Sequence, residues 1–189
     1  MPEPLPFDPI AEAAQNWAAA GWVAEADAMA FVTSVVRAHR ILVTRIDACL
    51  EEFGLTFSRF EVLMLLSFTR SGELPLGKIS VRLQVHAASV TNAIDRLEHD
   101  GLVQRVPHPT DGRTTLARLT TKGRDTAMAA VAVLNRDVFA RPGLPAEGVR
   151  ATVEALAALR ASAGDFLTPP PSDADGDADH ELTSTETRS

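Results

Sequence analysis

Residues 85–123, VHAASVTNAIDRLEHDGLVQRVPHPTDGRTTLARLTTKG, change periodicity twice, and this constrains the fold more than any other feature of the chain. From Ala87 to the residue before Gly101, the apolar residues Val90, Ile94 and Leu97 recur at helical spacing and leave Ser89, Asn92 and Arg96 together on the opposite side. Residues 102–107 and 114–119 then alternate or carry β-favouring residues. His108, Pro109, Thr110, Asp111, Gly112 and Arg113 between them are turn formers with a basic tip. Thr120 caps a further helix that runs to about Phe139. Helix, hairpin and helix in this order describe a winged helix-turn-helix, whose helix enters one groove of DNA while its hairpin reaches an adjacent one.

Charge agrees with that reading. Residues 76–124 hold eight Lys/Arg (Lys78, Arg82, Arg96, Arg105, Arg113, Arg118, Lys122, Arg124) against four acids (Asp95, Glu98, Asp100, Asp111), a balance of +4 in a chain of net charge −7. Local excess of this kind is the footprint of phosphate binding. Residues 168–189 carry six acids and one base, so the remainder of the chain has a balance of only −2. The low isoelectric point therefore describes the tail and does not argue against DNA.

The rest of the chain reads as helix. Ile10, Ala13, Ala14, Trp17 and Ala18 form one stripe of a short amphipathic helix that Gly21 ends. Phe31, Val35, Leu42, Ile46 and Leu50 predict a long helix over residues 27–53, stopped by Gly54; a helix of that length packs against a partner. Thr56 or Ser58 starts the next helix, where Ser58 and Glu61 fit a capping box, and residues 71–73 form a turn before a short helix opened by Pro75. Pro145 suits the first turn of a last helix ending near Phe166. The fold class is mainly α with a small β-wing. The expected units are an N-terminal extension (1–24), a helical dimerisation region (25–54 and 121–167), a winged helix lobe (55–120) and a disordered acidic tail (168–189).

Leu55-Thr56, Val90-Thr91, Asp95-Arg96-Leu97-Glu98, Gly101-Leu102-Val103, Asp111-x-Arg113 and Leu119-Thr120-x-x-Gly123 stand in this order over the matching part of the chain, about residues 26–166. With them the chain resembles the MarR (multiple antibiotic resistance regulator) family of transcription regulators. The resemblance implies a homodimer with interleaved first and last helices, and a double-stranded, palindromic operator. It also implies repression relieved by a small-molecule effector, and a cytoplasmic location.

The candidate DNA contacts are His86, Ser89, Thr91, Asn92 and Arg96 on the helix and Arg113 on the wing, with Asp111 as the turn former that orients the wing. Asn pairs bidentately with adenine and Arg with guanine, hydroxyls anchor phosphates, and a wing-tip guanidinium suits the minor groove. Arg96 has a second reading, a structural pairing with Glu61 or Asp100, and Asp95 reads as structural. Many relatives carry a second Arg where Gly112 stands here. Candidate effector residues are Trp17, Trp22, Phe31, His39, Arg40, Arg59, Phe60 and Glu61, for which core packing or surface charge is the alternative role. The N-terminal helix with Trp17 is similar to that of the family's urate-responsive branch, and Glu61 stands where that branch has its acid. The Arg paired with that acid is replaced by Phe68, and an Arg- and His-flanked apolar pocket suits an aromatic acid or an acyl thioester.

Other functions lack their residues. The five His form no metal-spaced cluster, and neither a phosphate-binding Gly loop nor a nucleophile motif is present. The expectation is a non-enzyme without metal or cofactor. No apolar run is long enough to span a membrane, and the N-terminus does not have the pattern of a secretory signal. Cys49, beside Glu51 and Glu52, lacks the electropositive setting of a redox sensor. Asp173-x-Asp175-x-Asp177 opens like a calcium loop but has Ala178 and Ser184 where such a loop needs Gly and Glu. A winged helix module that binds protein instead of DNA is the competing reading.

Overall fold

The computed structural model describes residues 4–166, so the expectations for the acidic tail and its Asp173–Asp177 rhythm lie outside the described residues. Seven α-helices and a three-stranded sheet follow in the order α1 (Pro9–Ala19), α2 (Ala26–Leu50), α3 (Phe57–Ser67), β1 (Glu73–Pro75), α4 (Leu76–Leu83), α5 (Ala87–His99), β2 (Val103–Pro107), β3 (Thr115–Leu119), α6 (Thr121–Leu134) and α7 (Ala146–Ser162). α3 to β3 form a winged helix-turn-helix. The long helices α2 and α6 pack on it through a common core, in which Ile46, Leu50, Leu63, Leu66, Ile79, Ile94, Leu97, Ala127 and Leu134 are all buried.

Several ends differ from the sequence reading. The long helix finishes in a 3-10 turn (Glu51–Phe53) before left-handed Gly54. α6 widens into a π-helical segment (Asn135–Phe139), and the Arg45 guanidinium of α2 donates to the Asp137 carbonyl within it and to the Arg141 carbonyl just beyond it. Pro145 is the N-cap of α7 rather than a residue of its first turn, and α7 stops at Ser162. The capping box at Ser58 and Glu61 does not form. Thr56 is the N-cap of α3 and its side chain bonds no helix N–H, while Asp47 of α2 reaches across and accepts from the Phe57 N–H at 2.7 Å. A carboxylate on a neighbouring helix has displaced the local hydroxyl.

The segment read as a turn at 71–73 ends in a strand. Glu73, Leu74 and Pro75 pair antiparallel with Arg118, Ala117 and Leu116, giving the sheet order β1-β3-β2. β3 thus joins the wing to the start of α4. At the root of the wing, Thr120 caps α6 by accepting from the Gly123 N–H at 2.9 Å, and its own N–H donates to the Leu102 carbonyl at 3.1 Å. Gly123 is buried here, and a Cβ on it would lie 2.0 Å from the Leu102 oxygen. The helix and the strand approach closely because this residue has no side chain.

Few apolar side chains are covered on the outer helices. α7 buries no residue, and Val153 and Leu159 are exposed on it. On α2, Phe31, Val32, Val36, Ile41 and Leu42 are exposed as well. Exposed apolar residues in this number mark a face built to meet another surface.

Candidate DNA interface

α5 is built as the sequence suggests. Val90, Ile94 and Leu97 are buried, and Ser89, Thr91, Asn92 and Arg96 are exposed. Its N-cap is His86, whose Nδ1 accepts from the Ala88 N–H at 3.2 Å. This bond fixes the ring over the first turn and directs Nε2 away from it. The Thr91 hydroxyl donates to the Ala87 carbonyl at 3.1 Å, so its proton is already engaged and its oxygen faces solvent as an acceptor. Ser89 and Asn92 have no such tie among the described residues.

Between α4 and α5 the chain turns at Gln84, the only residue other than glycine with positive φ (52°) among the described residues. Its side-chain amide donates to the Val81 carbonyl at 3.1 Å, and the Ser80 hydroxyl donates to the Val85 carbonyl at 2.6 Å. These bonds offset the strain of a left-handed Gln and hold the angle between the two helices.

The wing tip is organised by two side chains. Asp111 accepts from the Arg113 N–H at 3.0 Å and from the Thr114 hydroxyl at 2.6 Å. The Thr114 bond first, then the Arg113 N–H, hold its carboxyl below the ordinary carboxylate range. Asp111 therefore grips the backbone of Arg113, and no ion pair joins it to the guanidinium among the described residues. Nδ1 of His108 accepts from the Asp111 N–H at 3.2 Å on the inner side of the turn. Arg113 is exposed at the end of this assembly.

Not all the positive charge counted in the sequence faces outward. Arg105 of β2 pairs with Glu98 and with Asp95 (2.6 Å), which gives Asp95 a structural partner. Arg118 pairs with Glu73 at 2.6 Å, the Lys122 ammonium donates to the Asp100 carbonyl at 2.7 Å, and Arg124 reaches the Ser67 carbonyl at 3.4 Å. Among the described residues, Lys78, Arg82, Arg96 and Arg113 have no ion pair. The pairing considered for Arg96 does not occur: Asp100 meets Arg59 at 3.7 Å and His99 at 3.1 Å, and no ion pair to Glu61 forms. Lys78 and Arg82 were counted as charge in the sequence but not singled out. Their signal was present in their i, i+4 spacing on α4, where both are exposed.

The candidate effector residues do not converge. Trp17 and Trp22 line a cavity of about 520 Å³ between α1 and α2, together with Glu25, Met29 and Val32. Arg59 lines a second cavity, of about 400 Å³, with Asp47 and Glu51 at the far end of α2. At 1.5 Å per residue, Met29 and Asp47 are roughly 27 Å apart along that helix, which is why the two groups cannot share one ligand. Phe60 is a core residue, Phe31, His39 and Arg40 are exposed on α2, and Glu61 is half-buried, with burial raising its carboxyl above the ordinary range. Neither cavity offers an unpaired cation to a carboxylate or a thioester phosphate. Among the described residues, no cluster of His, Cys, Asp and Glu could hold a metal, and no helix is long and apolar enough to cross a membrane.

Comparison with known proteins agrees with this geometry. The profile of the MarR family matches residues 55–115. The crystal structure of Sco5413, a MarR family transcriptional regulator from Streptomyces coelicolor, superposes with a TM-score of 0.68. It is 46% identical, over 74% of this chain and 97% of that one. Sco3205 from the same organism, a MarR family regulator solved in complex with DNA, shares the fold at a TM-score of 0.62 and 22% identity, over 70% of this chain and 88% of its own. Among curated proteins, the transcriptional regulator MhqR of Bacillus subtilis is 34% identical over 87 residues, which are 46% of this chain and 59% of that protein. The chain spans little more than half the length of the curated relatives it matches. The near-complete coverage of Sco5413 at this identity, on a winged helix of the same topology, places the chain in the MarR family of transcriptional regulators.

Proposed function

We propose that the protein is a homodimeric, sequence-specific DNA-binding regulator in the cytoplasm, a repressor released from a palindromic operator by a small-molecule ligand. Residues 55–120 form the DNA-binding lobe, and residues 25–54 with 121–167 the dimerisation region. The observation that carries this reading is the sorting of cations. Those beside the sheet are tied inward, while Lys78, Arg82, Arg96 and Arg113 have no ion pair and lie on α4, α5 and the wing.

In this reading Asn92 and Arg96 meet base edges. Ser89, Thr91, His86, Lys78 and Arg82 meet phosphates, and Arg113 enters the neighbouring minor groove. The uncovered apolar residues Val36, Ile41 and Leu42 of α2, with those of α7, supply the dimer face, and two copies place α5 in successive major grooves about 34–36 Å apart.

The test is a mobility shift on DNA from upstream of the protein's own gene at increasing salt. A complex that weakens steeply as salt rises supports the reading, because each phosphate contact releases counterions. A second reading, a winged helix that binds protein, draws on exposed Phe68 and Val81 on the lobe. Absence of any shift at low salt would favour it.

A further inference from the structure

We propose that the cleft between α1 and α2 binds an organic cation with an apolar body, held against the Trp17 and Trp22 rings and neutralised by Glu25. α1 ends in a turn at Gly21 (φ +96°), where the Gly21 N–H donates to the Ala18 carbonyl at 3.0 Å and the Trp22 N–H to the Trp17 carbonyl at 3.1 Å. These two bonds are the paired closure of a left-handed helix stop, which brings the flanking apolar residues together. Here those residues are both Trp, with ring centroids 4.9 Å apart and planes inclined at 53°. The backbone thus sets the rings before any ligand arrives, which lowers the ordering cost of binding.

Hydrophobic closure of the turn explains why the rings meet, but not what surrounds them. The cavity of about 520 Å³ suits a small organic ligand. Met29 and Val32 form its apolar floor, and Glu25 is the only charged residue lining it. Glu25 is the N-cap residue of α2, yet its carboxylate caps no N–H, and it has no ion pair among the described residues. The residues that line the cleft lie within residues 17–33, and residues 4–36 contain no Lys, Arg or His but four acids, Asp8, Glu12, Glu25 and Asp27; the nearest cation along α2 is Arg37, one turn beyond Thr33. Such a site repels carboxylates. Indole faces attract cations, and a thioether is a polarisable neighbour for an apolar body. The binding class is therefore opposite to the aromatic acid or acyl thioester expected from sequence. That the cation also releases DNA rests on the repressor reading above.

The chain has two Trp and no Tyr, so the indole fluorescence of the whole protein reports this cleft alone. Titration of the full chain with tetraphenylphosphonium is expected to give a saturable change in emission, and salicylate none. Glu25→Gln, which removes no hydrogen bond of the fold, is expected to leave the melting temperature of the unliganded protein unchanged and to weaken the cation by about tenfold. Trp22→Leu is expected to weaken it as well, read through the remaining Trp17. A non-saturating response, an equal response to salicylate, or unchanged affinity in Glu25→Gln would overturn the proposal. The mobility shift with and without tetraphenylphosphonium separates the two readings. Cation binding without release of DNA overturns the effector role alone, and absence of any DNA complex overturns the repressor reading while the fluorescence result stands.

Discussion

Asp47, on the long helix, accepts the N–H of Phe57, the first residue of α3, at 2.7 Å. The helix proposed to meet the second subunit thereby caps the first helix of the winged lobe. Asp47→Ala is expected to cost about 1 kcal/mol, the usual worth of an N-cap, measured by urea unfolding. Ser58→Ala is expected to change little; a larger loss there than at Asp47 would restore the capping box.

The Glu98–Arg105 contact makes stability depend on acidity. The Arg105 N–H, and then the Arg105 guanidinium, hold the Glu98 carboxyl below its ordinary value of 4.5. Stability from a depressed carboxylate is complete above its unfolded value and is lost as pH falls through the lower folded value. Glu98→Gln is therefore expected to flatten the fall in the urea midpoint below about pH 4.5. Glu61 acts in the opposite sense, because burial raises its carboxyl. Its unfavourable contribution is present above the raised folded value, so Glu61→Gln is expected to stabilise the protein at neutral pH and to have little effect in acid. No gain at neutral pH would mean that Glu61 is hydrated in solution.

Gly123 has no room for a methyl group, since a Cβ would overlap the Leu102 carbonyl. Gly123→Ala is expected to cost about 3 kcal/mol or more, beyond the usual range for overpacking because the obstacle is backbone. Thermal melting checks this, and a loss under about 1 kcal/mol would show that α6 can move away from β2.

On DNA, the two elements are expected to fail differently. Arg113→Ala should weaken binding to all sequences and lower the salt slope by about 1 for each wing. Asn92→Ala should cost about 1–3 kcal/mol on the operator and narrow the gap to unrelated DNA. Fluorescence anisotropy at several salt concentrations reads both effects. Equal affinity of either variant and the parent would remove that residue from the interface.

α7 buries nothing within its own chain, and Leu159 is exposed on it. Leu159→Asp is expected to shift the protein from dimer to monomer in sedimentation at micromolar concentration. An unchanged dimer would place the interface on other residues.

The recognition helix was legible because Val90, Ile94 and Leu97 repeat at the period of a helix, and burial follows that period. Thr120 was legible as a cap because its partner, Gly123, lies within the same turn. β1 was not. Three residues ending in proline have no alternation to read, and only β3, far along the chain, makes them a strand. The cap from Asp47 was hidden for the same reason. Charge was legible as a sum but not as a direction: Arg105 and Arg118 counted towards the basic segment, although Asp95, Glu98 and Glu73 hold them against the protein. The effector candidates are not gathered into one pocket, because Trp17 of α1 and Arg59 of α3 lie beside opposite ends of α2.

The sheet order β1-β3-β2 hydrogen-bonds the wing to the strand that opens α4, the helix before the one proposed to read DNA. Hairpin and helix pair are thus cast as one piece, like the face of a printing block. A ligand has little leverage on the shape of such a face. In the dimer proposed above, what remains adjustable is the gauge between two blocks, carried by the long helices, and a change of register against the pitch of DNA would be enough to spoil the print.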